Sequence, residues 1–402
     1  MQTLFLLTIA FGTLFLAACA FGEVPEKVDY GLVKADNEFG FSLFNGLAET
    51  SPHENIFISP ISIAIALQMC YNGADGKTKS QMAEVMNIAR MPIEALNQAN
   101  QQLIWHLSSS EEVQLEIANS LWARKGVPFR EEYITGLQEY YDASANERNF
   151  EDPAVLKEIN SWVAEKTNGK IDRILDQLDP IAILVLINAV YFKGAWFDQF
   201  NANITKEDDF YLYGGGTQKV QMMFKRDDYN YLEADDFQAI RLPYKDRNYE
   251  MVIVLPAEGE DLSEFMKNKG TNWWNETLGK FSYLEGRLYL PRFKTEYDVT
   301  LNDALISMGM KEAFEETAAD FSGITPADPA WISRVIHKTF IEVDEEGTEA
   351  AAVTAIEMVG ETMAPIDPEE PFTMRIDRPF FCGIIERSSG AILFMGNIFK
   401  PN

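Results

Sequence analysis

The sequence predicts an α+β protein in which helices form mainly from the first part of the chain and strands mainly from the rest. Apolar residues recur at helical spacing in the first third of the chain. After about residue 180 they form strand-like runs instead. No internal repeat and no clear linker interrupts the chain before residue 345, and 402 residues suffice for one large domain or two ordinary ones.

Five stretches carry the helical pattern. Phe39, Leu43 and Leu47 lie four apart and predict a first helix from about residue 35. The second helix is expected to begin with Ser59 as its N-cap and Pro60 in its first turn, and to end by residue 73. This helix is apolar on all sides, which predicts that it is buried. Further helices are predicted at about 78–107, 128–141 and 153–168.

The strand-like runs begin with a long apolar segment. Residues 183–192 contain almost only apolar side chains, which is typical of a central strand covered on both faces. Shorter strands are predicted at 219–224, 237–243, 250–255, 284–293, 333–344, 379–386 and 391–399, with another at 372–376.

Composition excludes several classes of protein. With 47% hydrophobic and 24% charged residues, the chain has the make-up of a globular protein. Its 62 acidic and 34 basic side chains give a net charge of -28, which repels nucleic acid and anionic membranes, so neither is an expected partner. Three cysteines cannot form a disulfide framework for this length, and Cys70 and Cys382 are expected to be buried free thiols.

The N-terminus predicts a secreted, extracellular protein. Residues 4–20 form an apolar run that precedes the first charge and ends in Ala18, Cys19 and Ala20, the small-residue pattern of a signal-peptide cleavage site. We therefore expect residues 1–20 to be a signal peptide. A membrane anchor is the alternative, and residues 16–19 also imitate a bacterial lipoprotein cleavage box. Asn203 and Asn275 begin Asn-X-Thr triplets and are candidate glycosylation sites.

The motifs of common enzymes and metal sites do not occur. The three histidines, His53, His106 and His337, have no paired ligand spacing, and no G-x-S-x-G or C-x-x-C motif is present. Residues 76–78 (GKT) lack the rest of a phosphate loop, and residues 214–216 (GGG) are best explained as a turn. We expect no catalytic residues, no metal and no cofactor, although the many carboxylates leave a glycosidase pair open.

A long segment between two predicted strands is the exception to this ordinary pattern. Some 27 residues at 345–371 exceed common loop lengths, which favours a functional loop. If every second residue from 348 onward is placed on the same face, one face carries only small or apolar side chains and the other carries the acids. This pattern is typical of a strand buried on one face. A solvated helix fits the composition about as well. The small or apolar set is Thr348, Ala350, Ala352, Thr354, Ile356 and Met358.

Five separated segments resemble those of the serpin family. They are residues 55–63 (NIFISPISI), 187–196 (INAVYFKGAW), 319–324 (ADFSGI), 337–338 (HK) and 378–381 (RPFF). The resemblance implies a single domain at 21–402, with helices around a large mixed sheet, smaller sheets and an exposed reactive-centre loop at about 345–371. It also implies a monomer. In loop style and composition the chain is most similar to secreted arthropod serpins such as those of tick saliva.

Residues 345–352 (EEGTEAAA) resemble the hinge of inhibitory serpins, in which small side chains allow the cut loop to enter the main sheet. This resemblance implies a suicide inhibitor of a serine protease that ends in a covalent acyl-enzyme complex. A noninhibitory carrier of the same fold is the alternative, and an unrecognised secreted hydrolase is a third. The hinge residues are Glu345, Glu346, Gly347, Thr348, Glu349, Ala350, Ala351 and Ala352.

The resemblance also assigns residues beneath the sheet and in the loop. Ser59, Ser62, Asn188 and His337 match the hydrogen-bonded cluster of the family, and Trp196 matches the tryptophan where the loop first inserts.

Family spacing places the scissile bond fourteen residues after Gly347, between Glu361 and Thr362. An acidic residue there requires a protease with a cationic pocket and disfavours trypsin-like enzymes. Met358 or Met363 are the alternative sites. Residues 91–120 contain no Lys or Arg, so activation by heparin is not expected.

Overall fold

The computed structural model describes residues 27–327, 329–348 and 370–401. In this part of the chain the α-helices are α1 (Tyr30–Thr50), α2 (Pro60–Asn72), α3 (Gly76–Val85), α4 (Ile93–Leu107), α5 (Glu131–Tyr141), α6 (Pro153–Lys166), α7 (Leu262–Met266), α8 (Thr271–Leu278) and α9 (Asn302–Met308). None of the described helices is both long and apolar enough to cross a bilayer.

The described strands alternate with these helices at first and then dominate the chain. They are β1 (Ile56–Ile58), β2 (Val113–Arg124), β3 (Ser144–Arg148), β4 (Leu184–Ala195), β5 (Lys206–Tyr211), β6 (Thr217–Glu233), β7 (Phe237–Pro243), β8 (Tyr249–Pro256), β9 (Ser282–Pro291), β10 (Phe293–Thr300), β11 (Ile332–Val343), β12 (Gly347–Thr348), β13 (Phe372–Arg375), β14 (Phe380–Glu386) and β15 (Ile392–Ile398).

The strands form two sheets. The main sheet has the order β10-β11-β12-β4-β2-β3. Its two central long strands, β4 and β11, pair in parallel, and the two-residue strand β12 lies between their far ends. The second sheet has the order β1-β15-β14-β8-β7-β6-β9-β13, with β5 on β6. The 17-residue β6 pairs with β5, β7 and β9, and so joins what would otherwise be separate smaller sheets.

Apolar packing covers both faces of the main sheet. Between the sheets lies α2, which contacts α1, β4 and β15 and is buried from Pro60 to Tyr71, as its uniform apolarity predicts. On the opposite face, α6 and the segment after it form a second core with β4 and β11. Both faces of β4 are therefore covered, which explains its continuous apolar sequence.

Several predicted boundaries were wrong for identifiable local reasons. The first helix begins five residues before position 35, because Asp29 caps it by accepting hydrogen bonds from two backbone N–H groups. The single helix predicted at 78–107 is two helices, α3 and α4. Asn87 takes a left-handed conformation (φ 59°) after α3, and Pro92 precedes α4.

Strand predictions failed mainly where the sequence pattern is mixed. No strand was predicted for β1, β2, β3, β5 or β10, and no helix was predicted for α7, α8 or α9. In β2 the burial alternates at first and then becomes continuous, so no single period describes it. Other predictions were confirmed: Cys70 and Cys382 are buried free thiols, and residues 214–216 form a turn with positive φ at all three glycines.

Candidate functional site

The first residues of the predicted hinge already lie inside the main sheet. The chain leaves β11, turns at Asp344–Glu346, and returns as β12 between β4 and β11. Thr348 pairs with Val343 of β11 and Gly194 of β4, and Gly347 pairs with Ala195. The Asp344 carboxylate accepts hydrogen bonds from the backbone N–H groups of Glu346 and Gly347, which fixes the turn.

Gly347 is required by the narrow gap between the strands. Its φ is 155°, and a Cβ at this position would lie 2.6 Å from the Cα of Ala195 and 2.9 Å from the backbone nitrogen of Trp196. Both atoms belong to backbone that pairing holds in place, so no larger residue fits without moving β4.

Thr348 is buried in a polar contact behind the sheet. It is 1% exposed, and its hydroxyl oxygen lies 2.7 Å from the Tyr244 hydroxyl oxygen. The Tyr244 ring stacks on the indole of Trp196, with ring centroids 4.8 Å apart. Burial raises the pKa of Tyr244 far above its ordinary value, so its hydroxyl remains protonated and can donate to Thr348.

Trp196 and the residues after it hold the turn from outside the sheet. The indole Nε1 of Trp196 donates to the carbonyl of Asp344 at 2.9 Å, and its backbone N–H donates to the carbonyl of Glu346 at 2.8 Å. The backbone N–H of Phe200 donates to the carbonyl of Glu345 at 2.9 Å. Trp196 therefore contacts the turn that precedes β12, and its role at the point of loop insertion stays a prediction.

The Glu345 carboxylate is anchored by a cation. Its carboxylate accepts hydrogen bonds from Arg292 Nη2 at 2.7 Å and from the Thr205 hydroxyl. Burial raises the pKa of Glu345, but these two hydrogen bonds, a backbone hydrogen bond and the positive charge of Arg292 together outweigh that effect and hold the pKa below its usual range. Burial, together with the neighbouring Asp344 and Glu345 carboxylates, raises the pKa of Glu346. No sequence pattern pointed to Arg292, because its partner lies 53 residues away.

The predicted cluster beneath the sheet is brought together. Asn188 on β4 donates to the Ser62 carbonyl at 3.1 Å and contacts the Ser62 hydroxyl, and its Oδ1 contacts His337 Nδ1. The backbone N–H of Ser59 donates to His337 Nε2 at 3.2 Å. Burial lowers the pKa of His337 to about 3, which keeps the ring neutral with its proton on Nδ1 toward Asn188.

This cluster also contains a residue that sequence reasoning missed. Asn188 Nδ2 donates to Asn119 Oδ1 on β2 at 2.6 Å, and Asn119 is buried. The cluster therefore links α2 to three strands of the main sheet. Asn119 was missed because β2 was not predicted as a strand, although it lies opposite Asn188 in the register of β2 and β4.

A polypeptide strap crosses the outer face of the sheet below the hinge. Residues 167–183 connect α6 to β4, and Ile171, Ile174 and Leu175 are buried in the second core. Asn160 on α6 bonds the backbone of Ile174 and Leu175 through its side chain. Lys338 on β11 donates to the carbonyl of Arg173 at 2.8 Å. The strap thus holds β11 and α6 together.

The remaining predicted residues have simpler outcomes. Glu349, Ala350, Ala351, Ala352, Met358, Glu361, Thr362 and Met363 lie outside the described residues. Asn203 and Asn275 are exposed, and their glycosylation stays a prediction. Across the described ranges, no group of three His, Cys, Asp or Glu side chains is arranged to hold a metal ion.

Comparisons with known proteins agree with this geometry. The family model described as "Serpin (serine protease inhibitor)" matches residues 34–401. An uncharacterized serpin-like protein of Thermococcus kodakarensis is 38% identical over 391 residues, which are 96% of this chain and 89% of that protein. Human leukocyte elastase inhibitor is 36% identical and covers 92% of this chain and 99% of its own. These archaeal and human relatives do not support the expected likeness to arthropod serpins.

Solved structures show the same fold. The native state of the thermophilic serpin tengpin matches with a TM-score of 0.86 and 32% identity, covering 93% of this chain and 95% of that one. Human thyroxine-binding globulin in complex with thyroxine matches with a TM-score of 0.85 and 28% identity, covering 93% of this chain and 99% of that one. The α+β fold with a main mixed sheet was therefore predicted correctly.

Proposed function

Because the chain belongs to the serpin family, we propose that it inhibits a serine protease as a suicide substrate. The protease attacks the reactive-centre loop and forms an acyl-enzyme, and the cut loop then inserts into the main sheet and carries the enzyme with it. The chain itself is not proposed to catalyse a reaction.

One observation carries this proposal. Gly347 and Thr348 already lie between β4 and β11, at the open end of a gap whose lower part is closed by direct pairing from Leu184 to Val190. Insertion of the following residues needs only that these two strands separate. The small side chains at 350–352 suit that path, because a strand between β4 and β11 is buried on the face toward α2.

The energy of insertion is large enough for this mechanism. If about fourteen residues each gain ~1 kcal/mol net from hydrogen bonding and burial, insertion releases on the order of 10 kcal/mol. Loss of one oxyanion-hole donor costs a protease ~3 kcal/mol of transition-state stabilisation. Insertion can therefore distort the active site of the bound enzyme and prevent hydrolysis of the acyl-enzyme.

The scissile bond is proposed to be Glu361–Thr362. The test is incubation of the full chain with a glutamate-specific protease, chymotrypsin, elastase and trypsin, followed by denaturing electrophoresis and mass spectrometry. We expect an adduct that survives detergent with the glutamate-specific enzyme, cut after Glu361, and little with trypsin. Glu361→Ala should abolish this adduct, while Glu357→Ala in the same loop is the matched control.

The same experiment separates the alternatives. Clean cleavage of the loop without any adduct favours a noninhibitory carrier or interaction protein, a possibility raised by the likeness to thyroxine-binding globulin. Cleavage after Met358 or Met363 with an adduct retains inhibition but moves the specificity to chymotrypsin-like or elastase-like enzymes. Turnover of a small substrate by the chain itself would contradict both.

Secretion and assembly are further parts of the proposal. We expect a mature N-terminus at Phe21 after removal of residues 1–20, a monomer in solution, and no stimulation of inhibition by heparin. Mass spectrometry of the exported protein distinguishes this N-terminus from an uncleaved anchor and from a lipid-modified Cys19. Occupied Asn203 or Asn275 would appear as added glycan mass in the same spectrum.

A further inference from the structure

A cavity of about 220 Å³ is lined in part by Trp196, whose indole bonds the hinge turn. It is lined by residues of β6, β7, β8 and β9, by residues 196–200 and by Arg247 and Arg387, and we call it the side cavity. A dry cavity of about 150 Å³ is enough to hold benzene. The side cavity therefore has room for one aromatic ring that carries short polar groups.

Charged side chains line the side cavity in equal numbers, four cations and four anions. Three ion pairs join most of them: Lys225–Asp227 at 2.7 Å, Arg241–Glu250 at 3.0 Å and Arg387–Glu250 at 3.5 Å. Among the described residues, one cation and two anions that line the cavity remain outside these ion pairs. They are Arg247, Asp198 and Asp228.

The unpaired cation is positioned by an aromatic ring. The Arg247 guanidinium lies 3.6 Å from the centroid of the Phe197 ring. Stacking holds the guanidinium plane and leaves its N–H groups free to donate to a carboxylate. Phe197 and Tyr283, which are 37% and 69% exposed, also line the side cavity and give it two aromatic side chains.

A buried ion pair forms one wall of the side cavity. The Glu250 side chain is only 3% exposed, and Arg241 and Arg387 share it. A buried ion pair of this kind is often no more stabilising than apolar residues of the same volume. Concave sites with aromatic walls and a few fixed charges are typical of ligand pockets.

We propose that the side cavity binds a small zwitterion, a molecule with one carboxylate and one ammonium group on a single aromatic ring. The carboxylate binds the guanidinium of Arg247, and the ammonium group binds the carboxylates of Asp198 and Asp228. The ring packs between Phe197 and Tyr283. No enzyme chemistry is involved, and the site does not depend on whether the chain inhibits a protease.

The probe is L-phenylalanine, titrated into the full chain by calorimetry in the absence of any protease. Two analogues of the same ring are the matched comparisons: 3-phenylpropionate lacks the ammonium group, and 2-phenylethylamine lacks the carboxylate. We expect L-phenylalanine to bind at one site per chain and each analogue to bind about tenfold more weakly, because each loses one charge-assisted contact.

Variants assign the two ends of the ligand. Arg247→Gln should weaken the binding of L-phenylalanine and 3-phenylpropionate but not that of 2-phenylethylamine. The double variant Asp198→Asn with Asp228→Asn should weaken the binding of L-phenylalanine and 2-phenylethylamine but not that of 3-phenylpropionate. All three side chains are exposed, so these variants are expected to fold, which an unchanged melting temperature checks. Arg90→Gln and Asp235→Asn, exposed and outside the cavity, are the controls.

Three results would overturn the proposal: no binding of L-phenylalanine up to its solubility limit, binding of either analogue as tight as that of the amino acid, or equal affinity in the cavity variants and the controls. Because the assay contains no protease, its outcome is separate from that of the inhibition experiment.

Discussion

Asn188 and His337 lie directly opposite each other in the parallel register of β4 and β11, and their side chains are hydrogen-bonded beneath the sheet. These are the two strands that would have to separate in the proposed insertion of the cut loop. Under that proposal the contact lies on the path of insertion, and its strength contributes to the cost of opening the sheet. The register places it below β12, where the two strands still pair directly.

The first prediction concerns pH. Burial holds the pKa of His337 near 3, below its ordinary 6.5, so the folded state binds the proton less well than the unfolded state. The stability that depends on neutral His337 is complete above pH 6.5 and is lost as pH falls toward 3. In this window the free energy of unfolding should fall by up to about 1.4 kcal/mol per pH unit.

Urea unfolding at pH 7, 6 and 5 measures this dependence. His337→Gln should be less stable at pH 7 but should have a flatter pH profile, because it removes the group that titrates. His53→Gln, at the surface against Tyr213, controls for loss of a histidine elsewhere. A profile for His337→Gln as steep as that of the unmodified protein would show that other groups carry the dependence.

The second prediction concerns Thr348, the hinge residue that already lies between β4 and β11. Thr348→Arg places a long cation where the native side chain is 1% exposed beside Tyr244, so the hinge cannot enter the gap. We expect the protein to be cleaved as a substrate, with at least about a tenfold loss of detergent-resistant adduct. Thr348→Ser keeps the hydroxyl and should still form the detergent-resistant adduct. An unchanged adduct yield for the arginine variant would exclude insertion along this path.

The third prediction concerns the nicked molecule. If the cut loop becomes a full strand between β4 and β11, the gain on the order of 10 kcal/mol should appear as a higher melting temperature after cleavage. Calorimetry before and after loop cleavage measures the difference. In Gly347→Trp the side chain collides with the backbone of β4 at Ala195, and the increase should disappear.

A fourth prediction concerns the anchor of the hinge. Arg292→Met removes the cation from the Glu345 carboxylate. We expect the free energy of unfolding to fall by about 1 kcal/mol at neutral pH, and no more, because Arg292 is 44% exposed. The folded-state pKa of Glu345 lies below the ordinary 4.5, so this contribution is present above pH 4.5 and is lost as pH falls through the lower folded value. Lys294→Met, from an exposed pair with Glu296, should cost less. Equal losses for the two variants at pH 7 would argue against a special role for Arg292.

The fifth prediction concerns the strap. Asn160→Ala leaves the backbone N–H groups of Ile174 and Leu175 without their acceptor, which should cost about 2 kcal/mol. Hydrogen exchange should become faster at residues 171–176 than elsewhere in the chain. Asn160→Asp keeps the acceptor oxygen and should protect these two amides. Unchanged exchange in Asn160→Ala would mean that apolar packing alone holds the strap.

Several residues of the site were predicted from the sequence, but some of their contact partners were not. The cluster of Ser59, Ser62, Asn188 and His337 was assigned by family resemblance, and the structure brings these residues together. Asn119 and Arg292 were not predicted. Their partners lie 69 and 53 residues away, and no periodicity in a single segment reports on a contact at such a distance.

The sequence by itself determined that helices come mainly early and strands mainly late in an α+β fold, and that α2 and β4 are buried, because each of these follows from local period and side-chain size. Only the tertiary structure decided that β4 and β11 pair in parallel, that Thr348 already sits between their ends, and that the strap crosses their outer face. These features depend on where distant strands meet, which is fixed by the shared core and not by any one stretch of sequence.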